Sequence, residues 1–288
     1  MLGLIGLVIT FGCVFGVYMA VGGKIEIILY ALPGELGMIG GAALGAFLLS
    51  NKGTVAKKTP KAIIQAFGGG KWKKNDYKDL LCLMFALCKL MKSKGLIALE
   101  QHVEKPSEST IFSQYPKILK DHFAIDLICD TLRSLTMGME DPKQVEEVIN
   151  HQLDKHHHEA LAPGHALHHT ADALPAIGIV AAVLGVIKTM ASITEPPEIL
   201  GKMIGGALVG TFLGVFMAYT IFGPIASKNV AVHEEDHQFY LIIRDILVAH
   251  LKGMAPQVSV ELGRGQIPSH YQPSFAEMEE ATGDIKVE

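Results

Sequence analysis

The sequence predicts an all-α integral membrane protein with four transmembrane helices and a helical cytoplasmic domain. Of its 288 residues, 49% are hydrophobic and only 19% are charged, whereas about 25% of the residues of a soluble domain are charged. The charges are unevenly placed, because residues 1–23 and 203–227 contain none. No stretch alternates convincingly between apolar and polar residues, as a half-buried strand would. A disordered chain is excluded, and a wholly water-soluble fold is disfavoured.

Four segments are long and apolar enough to cross a hydrocarbon core about 30 Å thick, which requires about 20 helical residues. They are residues 1–21, 32–50, 173–193 and 203–226. The first is interpreted as a retained anchor rather than a signal peptide, because it has no positively charged leader and is too long for the apolar part of one.

Ionisable side chains are expected to be nearly absent from the interior of these spans. Glu35 is placed at the outer end of the second span. Lys188 lies about five residues from the outer end of the third, where its stem can extend to the interface. A proton path needs a group that takes up and releases a proton, so if this chain conducts protons, the titrating carboxylate is expected to come from another chain.

The distribution of lysine predicts the orientation, because cytoplasmic loops are enriched in Lys and Arg. Residues 52–94 contain lysine at eleven positions but only two acids, Asp76 and Asp79. Both termini are then cytoplasmic. The predicted division is 1–50 for transmembrane helices 1 and 2 with a short periplasmic loop, 51–171 for a cytoplasmic helical domain, 172–227 for transmembrane helices 3 and 4, and 228–288 for a cytoplasmic C-terminal helix and tail.

The first half of the cytoplasmic region reads as a series of helices. Asn75 or Asp76 is expected to cap a helix that stops at Gly95. A second, short helix is predicted over 96–104. Pro116 stands where a further helix would begin.

The remaining helix signals flank the third and fourth spans. Asp141 and Pro142 predict an N-cap followed by proline at the first helical position. After the fourth span, helix is expected to continue to about Met254, and the segment from Pro256 is expected to be a polar loop. The run 274–277 (Ser-Phe-Ala-Glu) matches a capping box for one last short helix.

Small residues recur at every fourth position in each span, which allows helices to approach closely in lipid. Packing within one subunit would explain each stripe alone. Four stripes exceed what one small bundle needs, so they favour additional contacts with other chains. The stripes are Gly12, Gly16 and Ala20; Gly37, Gly41 and Gly45; Gly178 and Ala182; and Gly206, Gly210 and Gly214.

Several long segments resemble the MotA family of flagellar motor stator proteins. The transmembrane runs are DALPAIGIVAAVLGVI (172–187) and GALVGTFLGVFMAYTIFGPIAS (206–227). The cytoplasmic runs are 92–119 and 253–280. The related TolQ and ExbB proteins have three spans and lack this cytoplasmic pattern.

The resemblance implies a non-enzymatic, multi-pass protein of the bacterial inner membrane. It implies a homo-pentameric ring around two copies of a MotB-type protein, which supplies a transmembrane Asp and binds peptidoglycan. Protons would pass between the two proteins and lead to torque on the rotor protein FliG. No cofactor, metal or nucleic acid is implied.

The resemblance also implies roles for residues of the third and fourth spans. Pro175 and Pro224 correspond to the family's two prolines near the inner ends of these spans. Thr211 corresponds to the pore-side hydroxyl, and Ala182 to a small ion-path residue that favours protons over sodium. Gly178, on the same stripe as Ala182, is grouped with this ion path.

The expected rotor-facing charges lie in the cytoplasmic block. Lys92 stands where the family usually has Arg, which keeps the charge but loses bidentate geometry. Glu100 corresponds to the rotor-facing acid, and Glu104 is a further candidate.

Two other functions stay open at this point. One is a passive membrane scaffold, and the other is a membrane metalloprotein built on the seven histidines in 151–169. His165, His168 and His169 have the spacing of one helical face, but no acid or cysteine completes a metal set. A net charge of −4 gives no signature of nucleic-acid binding.

Overall fold

The structure, a computed structural model, describes residues 2–283 and residue 285. The described part is helical and contains no β-strand, which confirms the all-α class. Two π-helical turns, Gly12–Gly16 and Met217–Phe222, precede α2 and α11. The helices in chain order are α1 Leu2–Phe11, α2 Val17–Ala20, α3 Ile25–Ser50, α4 Gly53–Gly68, α5 Lys74–Lys94, α6 Glu100–Glu104, α7 Pro116–Leu119, α8 His122–Thr136, α9 Pro142–Ala191, α10 Pro197–Phe216, α11 Gly223–Leu251, α12 Pro256–Gly265 and α13 Phe275–Gly283.

The chain divides into two compact units. The membrane unit contains the residues up to Gly69 together with Ala160–Val232, and the globular unit contains Gly70–Glu159 and the residues from His233 onward. In the part of the chain that the structure describes, four helical segments are long and apolar enough to span a membrane, as predicted: Gly3–Ala20, Ile25–Ser50 and segments within Pro142–Ala191 and Pro197–Leu251.

The second span begins earlier than the sequence suggested. Lys24 is the N-cap of α3, and the helix runs through Pro33 to Ser50. Glu35 therefore lies ten residues inside the helix, so its expected place at the outer end of the span is wrong. The charges of Lys24 and Glu26 and the proline made the start look later than it is, although the residues between them are apolar.

The glycine stripes behave differently in the two pairs of spans. Those of the third and fourth spans pack against each other: a Cβ added at Gly178 would lie 2.8 Å from the carbonyl oxygen of Gly210, and one added at Gly214 would lie 2.7 Å from that of Leu174. Gly178, Gly210 and Gly214 therefore pack within one subunit, which is the simpler of the two explanations. At Gly12, Gly16, Gly37, Gly41 and Gly45 an added Cβ would meet none of the described residues within 4 Å. Contact of the stripes with other chains stays a prediction.

The globular unit is built around α5, which is buried along most of its length. The helix begins earlier than predicted, because its N-cap is Lys73, two or three residues before Asn75 or Asp76. The backbone N–H of Lys73 donates a hydrogen bond to the Asp76 carboxylate at 2.7 Å. The helix ends at Gly95, whose φ of +80° suits a residue without a Cβ. Trp72 stacks on Phe239 with ring centroids 3.7 Å apart.

The C-terminal region contains one helix more than expected. Residues predicted to form a loop from Pro256 instead form α12, in which Gly263 packs so closely that an added Cβ would lie 2.5 Å from the Ile246 side chain. This tertiary contact outweighs the low helix propensity of glycine. The capping box before α13 is confirmed, since Ser274 N–H donates to Glu277 at 2.6 Å and Glu277 N–H donates to Ser274 at 3.2 Å.

Candidate functional site

A carboxyl group lies buried among the membrane-spanning helices. Glu35 is only 6% exposed, and α3, which carries it, packs against α10. Its Oε2 atom is buried and has no hydrogen-bond partner in the described part of the chain. Ionisable groups within membrane spans are costly and usually functional. The expectation that no carboxyl group lies well inside a span is therefore wrong.

Glycine at position 210 makes room for this carboxyl group. A Cβ built on Gly210 would lie 2.5 Å from Glu35 Oε2 and 3.2 Å from the backbone nitrogen of Ala182. Any larger residue would displace the carboxylate or separate α9 from α10. Three helices thus meet at one point, where Glu35, Gly210 and Ala182 lie together.

The other predicted ion-path residues lie at different distances from this point. Gly178 contacts the backbone of Gly210, as described above. Thr211 follows Gly210 directly and is half-buried. Pro175 lies inside α9, seven residues and about 10 Å along the helix from Ala182.

Pro224 belongs to a separate region of the membrane unit. It is the second residue of α11 and follows the π-helical turn Met217–Phe222. It lines an open crevice with Gly3, Thr220 and Lys228. The separation from Thr211 is thirteen residues, about 20 Å along a helix. The structure thus does not bring Pro224 into the Glu35 contact.

The predicted rotor-facing residues are all exposed on the globular unit. Lys92 lies in the last turn of α5, and Glu100 and Glu104 lie one turn apart in α6. Glu104 accepts a hydrogen bond from Arg133 Nε at 3.1 Å. Among the described residues, Lys92 and Glu100 form no ion pair. Arg133 was not among the residues predicted from the sequence. It also donates a hydrogen bond to the backbone carbonyl of Val103 at 2.8 Å, so one guanidinium group holds both Glu104 and Val103.

The histidines form a cluster other than the predicted one. In the described residues, no group of three or more His, Cys, Asp or Glu side chains is placed to hold a metal ion. In the globular unit, His157 stacks on His237 with centroids 4.0 Å apart. Burial lowers the pKa of His156, His233 and His237, to about 4 for His237. The sequence feature that could have indicated the His157–His237 contact is a second pair of histidines, His233 and His237, one helical turn apart on α11.

Comparisons with known proteins agree along the whole chain. Residues 4–95 match the family model for the N-terminal part of motility protein A, and residues 120–239 match that of the MotA/TolQ/ExbB proton channel family. The chain is 40% identical to motility protein A of Salmonella typhimurium over 97% of its length and 94% of the relative. It is 38% identical to motility protein A of Escherichia coli, covering 99% and 96% of the two chains.

Solved structures share the fold. A chain in the structure of C. jejuni MotAB matches with a TM-score of 0.72 at 18% identity, covering 93% of this chain and 95% of that one. A chain of the flagellar MotAB stator complex from Bacillus subtilis matches with a TM-score of 0.67 at 20% identity, covering 90% and 92%. The chain therefore belongs to the motility protein A family, within the MotA/TolQ/ExbB proton channel family.

Proposed function

We propose that this chain is a stator subunit of a bacterial flagellar motor, which forms a proton channel with a MotB-type partner and converts proton flow into torque on the rotor. Two findings together support this proposal. The chain aligns nearly end to end with motility protein A, and its predicted ion-path residues Gly178 and Ala182 lie in the close contact between α9 and α10.

Surfaces that one subunit leaves open support the proposed partner and ring. A Cβ added at the stripe glycines of the first two spans would meet none of the described residues within 4 Å, and apolar side chains on α9 such as Val183 and Ile187 are about half exposed or more. In a membrane these faces meet lipid or other chains. The proposed arrangement is a homo-pentamer around two MotB-type chains, each supplying a transmembrane Asp.

The proposed orientation places both termini in the cytoplasm of a cell with this protein in its inner membrane. Residues 51–171 and the chain after 227 would lie inside. The exposed lysines of the segment that follows α3 favour this side of the bilayer. The short connections around Gly22 and after Ala191 would face the periplasm.

The proposed contact with the rotor uses Lys92 and Glu100, with Glu104 at its edge. Their exposure leaves them available to a protein such as FliG. Exposed ion pairs contribute only about 0–1 kcal/mol. Such weak contacts exchange quickly, which suits a rotor that must pass from one subunit to the next.

The available energy suits a conformational bias. One proton that moves through 100 mV releases about 2.3 kcal/mol, which can shift an equilibrium between two conformers by about 50-fold. We propose that protonation of the partner's Asp changes its fit against Pro175 and Thr211, and that Pro224, about 20 Å along the chain from Thr211, takes part in transmitting the change. This change would then move the globular unit's charged surface against the rotor.

The test is complementation. Cells without their own motility protein A would receive this chain together with its MotB-type partner. We expect swimming to be restored, and to be lost when the partner's transmembrane Asp is replaced by Asn. Assembled complexes in the membrane without any rotation would contradict the proposal and favour a passive scaffold.

A further inference from the structure

We propose that Glu35 is a proton-binding site contributed by this chain itself, through which protons pass on their way to the partner's Asp. This inference rests on the proposed function and deepens it. It places a titrating group in the part of the channel wall that this chain forms. The residue pattern alone had predicted that such a group comes only from the partner. The proposal rests on the position of Glu35 Oε2. This atom is buried, has no hydrogen-bond partner among the described residues, and points at the contact between α9 and α10.

The surroundings of Glu35 favour the protonated form at rest. The described residues offer its Oε2 atom no N–H or O–H donor, and no lysine or arginine of the described chain forms an ion pair with it. An ionised carboxylate without donors or a counter-charge is far more costly in an apolar interior than a neutral carboxyl group. A proton is therefore the cation that this site takes, because a metal cation would need several oxygen ligands around it.

The depth of Glu35 suits a relay on the outer side. It lies ten residues after Ile25 and fifteen before Ser50, which corresponds to about 15 Å and about 22 Å along the helix. With the orientation proposed above, Ile25 is at the periplasmic end. A proton that enters from outside would meet Glu35 before it reached the inner half of the membrane.

The route from Glu35 to a partner chain is short. The carboxyl oxygen points at Gly210, and the two residues that flank this point, Ala182 and Thr211, are only half-buried in the subunit. Gly210 and Ala182 thus form a layer of small residues next to Glu35, and the half-buried Ala182 reaches the surface of the subunit. A transfer moves one proton from the Glu35 carboxyl to an acceptor oxygen beyond this layer and leaves a carboxylate, which the next proton from outside neutralises.

The test combines infrared spectroscopy with proton flux, both on the complex of the full chain with its partner. Wild type at neutral pH is expected to show the C=O stretch of a protonated carboxyl group. E35Q is expected to lose this band, and E35D, which keeps the acid with one methylene fewer, is expected to shift it. A band that neither variant changes overturns the inference, and this readout does not depend on whether the complex conducts.

The flux arm uses vesicles with an imposed pH gradient. E35Q has nearly the size of the native side chain, so it is expected to assemble with the partner and to lower proton flux by about tenfold or more. E26Q is the matched control, because Glu26 lies on the same helix but is exposed in its first turn. Wild-type flux in an assembled E35Q complex would overturn the inference and leave the proposed function intact. Absence of proton flux in every assembled complex, wild type and E26Q included, would instead contradict the proposed function. The infrared band would then still show whether Glu35 is protonated.

Discussion

Gly178 and Gly214 pack backbone against backbone. A Cβ added to Gly178 would lie 3.0 Å from the Cα of Gly214, and one added to Gly214 would lie 2.9 Å from the Cα of Gly178. Lipid offers little hydrophobic driving force between helices, so such close approach is what holds α9 and α10 together.

Gly214→Ala is therefore expected to destabilise the membrane unit. The new methyl group would meet backbone atoms, which cannot rotate away, and overpacking of this kind costs about 1–3 kcal/mol. The matched control is Gly41→Ala, where an added Cβ meets nothing within 4 Å. Thermal unfolding of the detergent-solubilised chain should give a lower midpoint for the first variant only. Equal midpoints would contradict the backbone contact.

Pro175→Ala is expected to keep assembly and to slow or abolish rotation. Proline at this position has no N–H to bond the carbonyl of Ala171, which leaves a weak point within α9. Alanine restores the bond and stiffens the helix. Co-purification with the partner tests assembly, and the speed of tethered cells tests torque. Normal speed in this variant would count against a role of the proline in coupling.

Lys92→Glu and Glu100→Lys are each expected to reduce swimming without a change in folding, because both side chains are exposed and form no ion pair in the described chain. Glu104→Gln should change swimming less, since this carboxylate is already held by Arg133. Swarm diameters and thermal midpoints, measured together, separate the two effects. A thermal midpoint that falls with Lys92→Glu would show that the residue is structural.

Phe239→Ala is expected to destabilise the globular unit by about 3–5 kcal/mol, because it removes a buried ring from the core. Trp72 stacks on this ring and is the only tryptophan of the chain, so its fluorescence reports on the same site and should shift to longer wavelength. Phe275→Ala is the control, as that ring is 60% exposed. An unchanged emission maximum in Phe239→Ala would contradict the stacking.

Acid is expected to destabilise the globular unit through its half-buried histidines. The folded state lowers the pKa of His237 to about 4 because burial disfavours its charged form, whereas the unfolded value is about 6.5. Its contribution to stability is thus present above about pH 6.5 and is lost as the pH falls toward 4. The titratable groups around His237 are His156, His157, His233, Asp154 and Arg244. Glu234 lies 3.4 Å from Nε2 of His157.

His237→Gln tests this dependence, because glutamine remains neutral throughout. Thermal midpoints of the full-length protein should fall less between pH 7.5 and pH 5 in the variant than in wild type. His158→Gln is the control, since this neighbouring side chain is exposed. Parallel pH profiles for wild type and His237→Gln would show that another group dominates.

The helices could be predicted from the sequence where local signals mark them. The turn at Gly95, the start of α9 after Asp141 and the capping box at Ser274 each depend on residues within one or two turns of one another. The helix α12 could not be predicted, because contact with Ile246 rather than its own composition stabilises it.

The site was only half predictable for the same reason. Gly178 and Ala182 belong to the small-residue stripe of the third span, and the family resemblance assigned them to the ion path. The contact of Glu35 with Gly210 joins positions 175 residues apart in sequence, and Pro33 concealed the true start of the helix that carries the acid. The exposure of Lys92 and Glu100 was expected, but the tie from Arg133 to Glu104 is again a contact between distant segments.

Proton flux across vesicles decides whether this chain conducts protons only together with its partner. Three preparations are compared under the same pH gradient and membrane potential: the chain alone, the chain with its MotB-type partner, and the chain with a partner whose transmembrane Asp is changed to Asn. If the partner supplies the essential carboxylate, sustained flux is expected in the second preparation only. Flux of equal size through the chain alone, or none in any preparation with assembled complex, would contradict it.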